Sequence, residues 1–600
     1  MTLLAALAVL VPLLAAAAGL LLGRRVPPGA VAVGAAVCSV LAILVAVLAD
    51  PARVVETSAL LTPTGTIPVT VGVRIDGLSA TVAVMVALVS LAIQVYSIGY
   101  LRGGVRYPSF AALVSLFTAA MLTVVLSADL LVTYVGWEVM GICSYFLIGH
   151  HWERPASTAA AVKSFLMTRF GDVGFLFGIF VLGTAAGSFR ITDVLAAVPA
   201  MSSGTLLAAG LLVTLGVVGK SAQFPLHSWL PDAMAGPAPV SALIHAATMV
   251  AAGAYLVALL FPVFLAAPVA LDVLAVLAVV SMVGAALAAL AVDDLKRVLA
   301  YSTISQLSLM FAALAAGGRT AAVAHLLAHA AFKALLFLGA GAVFLAVGST
   351  LMTRMGGLRR SMPVTFATMT VGFAALAGIP PTSGFFSKDA IVTVAEHAAT
   401  GTAPPVAATT AWLVLVGVLV TVALTAAYTT RAWLRTFFGP GPAVAEAPAI
   451  MRWPLVALAV PALLLGLGLL WSVSLRPDLS SAVLSVALTG FGAGAVYLAW
   501  RRDPAADPAD LLGRARPVLA TAGHTDDLYE RTVARAVLRL ADAVVGVDDR
   551  VVGRAVTGAG RNARRLGSAM RLTQNGNPQF YLTGLLAGVL LIAVGVVVLS

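Results

Sequence analysis

The sequence predicts an all-α polytopic membrane protein with about sixteen transmembrane helices, long enough at about 20 apolar residues each to cross the hydrocarbon core. Of its 600 residues, 61% are hydrophobic and only 10% are charged, whereas a soluble domain carries about 25% charged residues. The mean hydropathy is +1.03. Strands with open edges would leave unpaired backbone groups in lipid, so we expect every span to be helical.

The apolar runs follow one another along most of the chain. They centre near residues 12, 39, 89, 117, 139, 178, 213, 249, 280, 306, 336, 376, 420, 462, 490 and 589. Arg24 and Arg25 follow the first run, which indicates a retained span and not a cleaved signal peptide. We divide the chain into N-terminal helices one to three (1–108), two five-helix groups (109–262 and 263–440), helices fourteen and fifteen (441–500), a polar stretch (501–577) and a closing span (578–600).

The loops predict an orientation. Loops after odd-numbered helices carry 14 Lys and Arg residues, and those after even-numbered helices carry 5. Because positive loops stay in the cytoplasm, we expect the N-terminus outside and residues 501–577 on the cytoplasmic side of the membrane. The net charge of +11 therefore reflects membrane topology and does not indicate nucleic-acid binding.

The polar stretch contains a predicted amphipathic helix from Asp526 to Arg571. Its apolar residues recur every three or four positions, and its arginines follow the same spacing on another face. About 45 helical residues reach roughly 65–70 Å. Such a helix is too polar to span, so we expect it to lie along the membrane surface or along neighbouring helices. A solvated linker with a short helix is the alternative, favoured by four glycines between 546 and 560.

A few ionisable residues remain at membrane depth. They are Glu138, Arg169, Asp172, Lys220, His245, His325, His329, Lys333, Lys388 and Asp389. Burying one charge there costs about 2.5–3.5 kcal/mol even on the lenient insertion scale, which makes a path for ions or protons the default hypothesis.

The lysines strengthen the proton hypothesis. The chain has 31 Arg and 5 Lys among its 36 basic residues, yet Lys220, Lys333 and Lys388 all lie in apolar spans. A buried lysine can release its proton, whereas arginine stays charged. Lys163 and Lys296 lie near span ends, and snorkelling to the interface explains them.

Three histidine and lysine positions share one helix face. His325, His329 and Lys333 are spaced i, i+4, i+8, which is typical of a proton relay. Glu138 is the one acid of its span, and His245 is a lone histidine that is as often structural as functional.

Two spans are interrupted by proline. Lys220 precedes Pro225 by five residues, and Lys388 follows Pro380 and Pro381 closely. Proline breaks a helix and exposes backbone polar groups, and matched broken spans in two halves of a chain are typical of transporters built from repeats. We expect helices four to eight and nine to thirteen to be inverted repeats. No acid of the second half matches Glu138.

At these residues the sequence resembles a known family. The segments GWEVMGICSYFLIG, AVKSFLMTRFGDVGF, GKSAQFPLHSWLPDAMAGPAPVSALIHAATMV, HAAFKALLFLGAG and GIPPTSGFFSKDAI are similar to the antiporter-like membrane subunits of respiratory complex I. The resemblance covers roughly residues 75–440. The C-terminal extension, with TQNGNPQFYLTG, resembles the family member at the distal end of the membrane arm, in which a long lateral helix runs along neighbouring subunits.

The resemblance implies roles for the buried residues. Glu138 and Lys220 would handle protons in the first half-channel, with Arg169 and Asp172 as a modulating ion pair. His245, His325, His329 and Lys333 would form the central relay, and Lys388 the exit. It also implies a fourteen-helix core, no cofactor in this chain, and flavin and iron–sulfur clusters in partner subunits. The sequence agrees with the absence of an iron–sulfur cluster from this chain, because its two cysteines, Cys38 and Cys143, are too few to bind one.

Other functions remain open. The large subunit of a Mrp-type Na⁺/H⁺ antiporter shares the same core and would need sodium in place of NADH. The equivalent subunit of a ferredoxin- or formate-linked complex is a related alternative. A passive scaffold would lose assembly when residues 524–572 are deleted, and substitutions of its buried lysines would change nothing.

Overall fold

The computed structural model describes residues 1–50, 53–62, 67–401, 404–469, 475 and 477–600. They form two compact units, Met1–Gly523 and His524–Ser600. Within the described residues, fifteen helical segments are long and apolar enough to cross a membrane. The sixteenth expected span, near residue 376, consists of two shorter helices. The predicted polytopic membrane protein of the all-α class, with helical spans, is confirmed.

The chain begins with three long helices and one hairpin. A capping box at Asp76, whose side chain accepts a hydrogen bond from Ser79 N, starts the third helix. The antiparallel strands β1 and β2 were not predicted, because their residues were assigned to a loop between spans. The elements are α1 (Thr2–Leu22), α2 (Pro28–Leu48), β1 (Val55–Thr62), β2 (Val69–Ile75) and α3 (Gly77–Tyr100).

The first predicted five-helix group contains two interruptions. One follows Lys220, where the chain leaves α8, and the other separates α10 from α11. The elements are α4 (Tyr107–Leu126), α5 (Leu130–Ile148), α6 (Pro155–Ala186), α7 (Ile191–Ala197), α8 (Ser203–Lys220), α9 (Trp229–Asp232), α10 (Ala238–Ala246), α11 (Ala251–Leu259) and α12 (Phe261–Leu265).

The second predicted group is broken at its prolines. Pro380 and Pro381 lie between α17 and α18, as the sequence predicts. The elements are α13 (Pro268–Ala291), α14 (Leu295–Ala315), α15 (Arg319–Val347), α16 (Leu358–Ser361), α17 (Pro363–Ala377), α18 (Ser383–Thr400) and α19 (Ala408–Phe437). Helix α14 is buried along its whole length in this unit.

The remaining helices include the expected long amphipathic segment. Residues 525–573 are helical throughout, with two π-helical turns and none of the breaks that the glycines suggested. The elements are α20 (Ala449–Leu469), α21 (Leu479–Arg502), α22 (Ala515–Ala520), α23 (Thr525–Tyr529), α24 (Arg535–Val547), α25 (Arg554–Thr573) and α26 (Pro578–Leu599).

Two loops repeat one hydrogen-bonding pattern. Asp129 caps the start of α5 and forms a bridge with Arg190, just after α6. Asp294 caps the start of α14 and forms a bridge with Leu351, just after α15. In both places the second helix of a five-helix group is fastened to the segment that follows the third helix.

Candidate functional site

The first buried charge cluster joins α5, α6 and α8. The Lys220 ammonium lies 3.2 Å from the Asp172 carboxylate, and both side chains are almost completely buried. The indole Nε1 of Trp137 donates to the other Asp172 oxygen at 2.5 Å, and Lys220 Nζ lies 5.4 Å from the centre of the same ring. Asp172 is thus held by two donors, one of them charged.

The second pair of this cluster differs from the expected arrangement. Arg169 forms an ion pair with Glu138 and stacks on the Phe165 ring at 4.8 Å. The resemblance implied that Glu138 and Lys220 handle protons together, with their contact left open, and that Arg169 and Asp172 form an ion pair. Instead, two residues three apart on α6 reach in different directions, each to an opposite charge on another helix.

Close backbone packing explains this arrangement. A Cβ placed on Gly171 would lie 3.0 Å from the Gly219 Cα, so α6 and α8 approach with no side chain between them. This approach brings Asp172 to the end of α8. On α5, a Cβ at Gly141 would lie 2.9 Å from Lys220 Nζ, so the lysine head occupies space that the glycine leaves.

The central histidines are positioned by the break between α10 and α11. Val250 N donates to Ile244 O, six residues back, at 3.3 Å, so Ala246 O loses its regular helical donor. The His329 Nδ1 atom lies 3.2 Å from Ala246 O. Because a carbonyl only accepts, Nδ1 carries the hydrogen of this bond, and Nε2 has no hydrogen-bond partner among the described residues.

A serine connects the central histidines to the second broken helix. The Ser387 hydroxyl donates to Ser383 O at 3.0 Å, which leaves its oxygen to accept from His325 Nδ1 at 3.0 Å. The rings of His325 and His329 have centroids 6.3 Å apart. The neighbouring Lys388 donates to Leu376 O, at the end of α17.

Lys333 is directed at α14. Its ammonium donates to the Ser302 hydroxyl and to Leu299 O at 3.1 Å. The His245 ring packs on Phe337 at a centroid distance of 5.0 Å, and neither of its nitrogens has a hydrogen-bond partner among the described residues. The side chains of Lys333, His245, His325 and His329 are all completely buried.

Three groups of this site were missed by sequence reasoning. Ser302 and Ser387 are ordinary hydroxyl residues in apolar helices, and Ala246 contributes only its carbonyl. Ser387 stands beside Lys388, which was the one available signal. Lys296 was misjudged as snorkelling, since it is buried and donates to Met234 O and Gly236 O at 2.7 Å each.

The described residues contain no group of three or more His, Cys, Asp or Glu side chains that would hold a metal ion. Cys38 and Cys143 are buried and unbridged.

Two family models match the chain. Residues 127–419 match "NADH:quinone oxidoreductase/Mrp antiporter, TM", and residues 61–111 match "NADH-Ubiquinone oxidoreductase (complex I), chain 5 N-terminus". The first match contains every predicted site residue.

Proteins from three different complexes are similar to this chain. NADH-quinone oxidoreductase subunit L of Mycobacterium tuberculosis is 38% identical over 90% of this chain and 88% of its own length. The F(420)H(2) dehydrogenase subunit L of Methanosarcina mazei is 41% identical over 76% of this chain and 72% of its own. A chain of the Mrp complex of Dietzia sp. superposes with a TM-score of 0.69 at 27% identity, covering 99% of this chain and 63% of that one.

Proposed function

This chain belongs to the family of subunit L, the Mrp-antiporter-like membrane subunit of NADH:quinone oxidoreductase, and we propose that its buried lysines and histidines carry the protons. It is a proton-translocating membrane subunit of this oxidoreductase. Glu138, Lys220, His245, His325, His329, Lys333 and Lys388 form the relay, and Arg169 and Asp172 tune its first part. As a membrane-arm subunit it leaves redox chemistry to flavin and iron–sulfur clusters in partner subunits.

One observation carries this proposal: fully buried basic groups stand in linked positions across both halves of the core. The Lys220–Asp172 pair lies in the first half, and His325 reaches the segment of Lys388 through Ser387. Between them, His329 bonds the carbonyl beside His245. Histidine and lysine side chains both bind and release protons, so basic groups at these buried positions suit a relay.

Replacement of Lys333 tests the relay. Lys333→Ala should abolish NADH-driven proton pumping, because it removes the amine between the histidines and α14, while the complex still assembles and transfers electrons. Pumping is measured by dye quenching in proteoliposomes and electron transfer with an uncoupler present. The control is Lys296→Ala, a buried lysine whose ammonium is bound by two loop carbonyls; full pumping by Lys333→Ala together with normal assembly rules the relay out.

A Mrp-type Na⁺/H⁺ antiporter is the second candidate, and the fold shared with the Dietzia Mrp complex supports it. The two functions differ in their driving reaction. NADH-dependent pumping without sodium supports the first, and sodium-dependent exchange without NADH supports the second.

We propose that the N-terminus lies outside the bacterial plasma membrane and that residues 501–577 lie on the cytoplasmic side. Contacts between loops support two separate faces. On the expected outer face, the hairpin residue Glu56 pairs with Arg190 and Thr70 bonds Asp129. On the expected inner face, Arg106 pairs with Glu153. The paired caps at Asp129 and Asp294 also support inverted repeats, because five helices separate them.

We propose further that the 525–573 helix contacts the neighbouring membrane-arm subunits. At 1.5 Å per residue it reaches about 70 Å. Val533, Val537, Leu540, Val544, Val547 and Val551 lie exposed along it. Such a row needs an apolar partner.

Deleting residues 524–572 should weaken the association of this subunit with the complex or release it, because the deletion removes the exposed apolar row that we propose contacts the neighbouring subunits. Val544→Asp should weaken the same association, whereas Arg539→Gln, on another face, should not. Mass spectrometry of the detergent-purified complex measures the retained subunits. A deletion variant that stays fully associated contradicts this contact.

A further inference from the structure

An open cavity lies where four spans meet on the expected inner face. Helices α1 and α3 end there, and α2 and α4 begin there. A Cβ on Gly19 would lie 2.8 Å from the Ala112 Cβ, so α1 and α4 pack closely, and the turn after α1 lies beside the start of α4. Because the spans end here, the cavity is at the level of the lipid headgroups. Its volume is about 380 Å³, and the residues that line it include Arg24, Val26, Ile98, Leu101, Arg102 and Tyr107.

The rim of this cavity carries two positive charges. Arg106, in the same loop as Arg102, is paired with Glu153, whereas Arg24 and Arg102 form no ion pair with a described residue. Both are exposed. Helix α4 begins at the cavity, and no side chain caps its first amides, so the positive end of its dipole adds to the two arginines. The cavity therefore attracts an anion.

The floor of the cavity is apolar apart from one hydroxyl. Val26, Ile98 and Leu101 line the cavity and also pack on a small cluster around Val31 and Tyr107. Tyr107 is 8% exposed, and its hydroxyl has no hydrogen-bond partner among the described residues. An unsatisfied buried hydroxyl is costly, so a ligand that brings an acceptor oxygen is favoured here.

An exposed apolar row leads away from the cavity along α2. Val33, Val37, Val40 and Leu44 are spaced i, i+4, i+7, i+11, so they share one face of this helix. They are between 41% and 63% exposed, and the row starts in the second turn of α2. A soluble anion would leave this row uncovered, whereas the acyl chains of a phospholipid cover it.

We propose that this cavity binds the phosphodiester headgroup of an anionic phospholipid such as phosphatidylglycerol, whose acyl chains lie along α2. Basic pockets between membrane helices hold headgroups of this kind. Arg24 and Arg102 bind the phosphate, the apolar floor receives the glycerol carbons, and the unpaired Tyr107 hydroxyl supplies a further donor. No residue of the proposed relay lines the cavity, so the lipid site stands or falls independently of proton pumping.

Photoreactive phosphatidylglycerol tests this site in the complete complex. The complex is purified in detergent, titrated with the lipid and irradiated, and the labelled peptides are mapped by mass spectrometry. In the wild-type complex the label should appear within residues 22–26 and 98–108. Arg24→Gln combined with Arg102→Gln should weaken binding about thirtyfold, because two basic contacts to an anionic lipid are lost. Tyr107→Phe should weaken it about fivefold, because one hydrogen bond is lost.

Arg25→Gln combined with Arg354→Gln is the matched control. It removes the same charge from the expected inner face, at exposed residues that do not line the cavity. All four arginines are exposed, so the melting temperature of both double variants should stay at the wild-type value. A difference in labelling between them then reports on lipid binding and not on folding.

Each outcome decides for or against the lipid site. Loss of label in the cavity variant, with the control variant labelled as the wild type is, supports it. Equal loss in both double variants overturns it, because the lipid would then respond only to the overall charge of this face. Equal labelling by photoreactive phosphatidylcholine also overturns it, as does displacement of the lipid by inorganic phosphate, which would make a soluble anion the ligand. A wild-type complex without label in residues 22–26 and 98–108 overturns it too, because a neighbouring subunit would then cover the cavity.

Discussion

Asp507→Ala should lower the free energy of unfolding by about 3–5 kcal/mol, because it leaves the guanidinium of Arg431 buried without a counter-charge. Arg431 is completely buried and also donates to Val292 O at 2.7 Å. Asp507 is shared with Arg516, which lies 2.7 Å away. The carboxylate therefore ties α19, the end of α13 and the segment after α21 together.

The measurement is thermal melting of the purified protein in detergent. Asp510→Ala is the matched control, since Asp510 pairs with the same Arg516 but is mostly exposed, and an exposed pair contributes at most about 1 kcal/mol. Equal melting of the two variants would contradict a buried ion pair at Asp507.

Low pH should weaken the same ion pair between Asp507 and Arg431. Burial alone would raise the pKa of Asp507, but hydrogen bonds and charge from Arg431, the Ala509 amide and Arg516 lower this pKa from 3.8 to about 2. A carboxyl group whose pKa is lower in the folded than in the unfolded state stabilises the fold at pH values above the unfolded-state pKa. The contribution of Asp507 is therefore complete at neutral pH and is lost as the pH falls from about 4 towards 2.

A double-mutant cycle should place Lys220 beside Asp172 and not beside Glu138. Combining Lys220→Met with Asp172→Leu should give a coupling energy near the upper end of the range of about 0.5–3 kcal/mol for residues in contact. Both charges are buried, so either single change leaves the other uncompensated, and the double change removes both.

The same cycle with Glu138→Gln is the comparison. Glu138 is paired with Arg169, so its coupling to Lys220 should be smaller, within about 0.5 kcal/mol of additivity. The stability of each variant is measured by thermal melting in detergent, which separates this question from pumping. A larger coupling for Glu138 than for Asp172 would contradict this pairing and make Glu138 the partner of Lys220.

The spans were predictable because hydrophobicity over about 20 residues is a local property. The prolines predicted the helix break at Pro380 and Pro381. The i, i+4, i+8 spacing predicted that His325, His329 and Lys333 share one face of a helix. These are features within single helices. They depend on no knowledge of which helices are neighbours.

The pairing of charges was not predictable, because it depends on which helices are neighbours and how closely they approach. Whether Arg169 reaches Glu138 or Asp172 depends on how closely α6 approaches α8, and no spacing within one helix sets that distance. The Ser302 hydroxyl was not recognised, because serine is common in spans, and the signal for Ser387 was its position beside Lys388. The break between α10 and α11 was missed since no proline marks it.

The glycine contact between α6 and α8 limits how the spacing of these two helices can change. Where side chains separate two helices, rotamer changes let the spacing vary, but here backbone touches backbone at Gly171 and Gly219. The backbones that carry Asp172 and Lys220 are therefore in direct contact, with no side chain between them to adjust their spacing. A change in the spacing of these two backbones during turnover would therefore require displacement of a whole helix, whereas the ion pair itself can also lengthen by rotation of the lysine side chain.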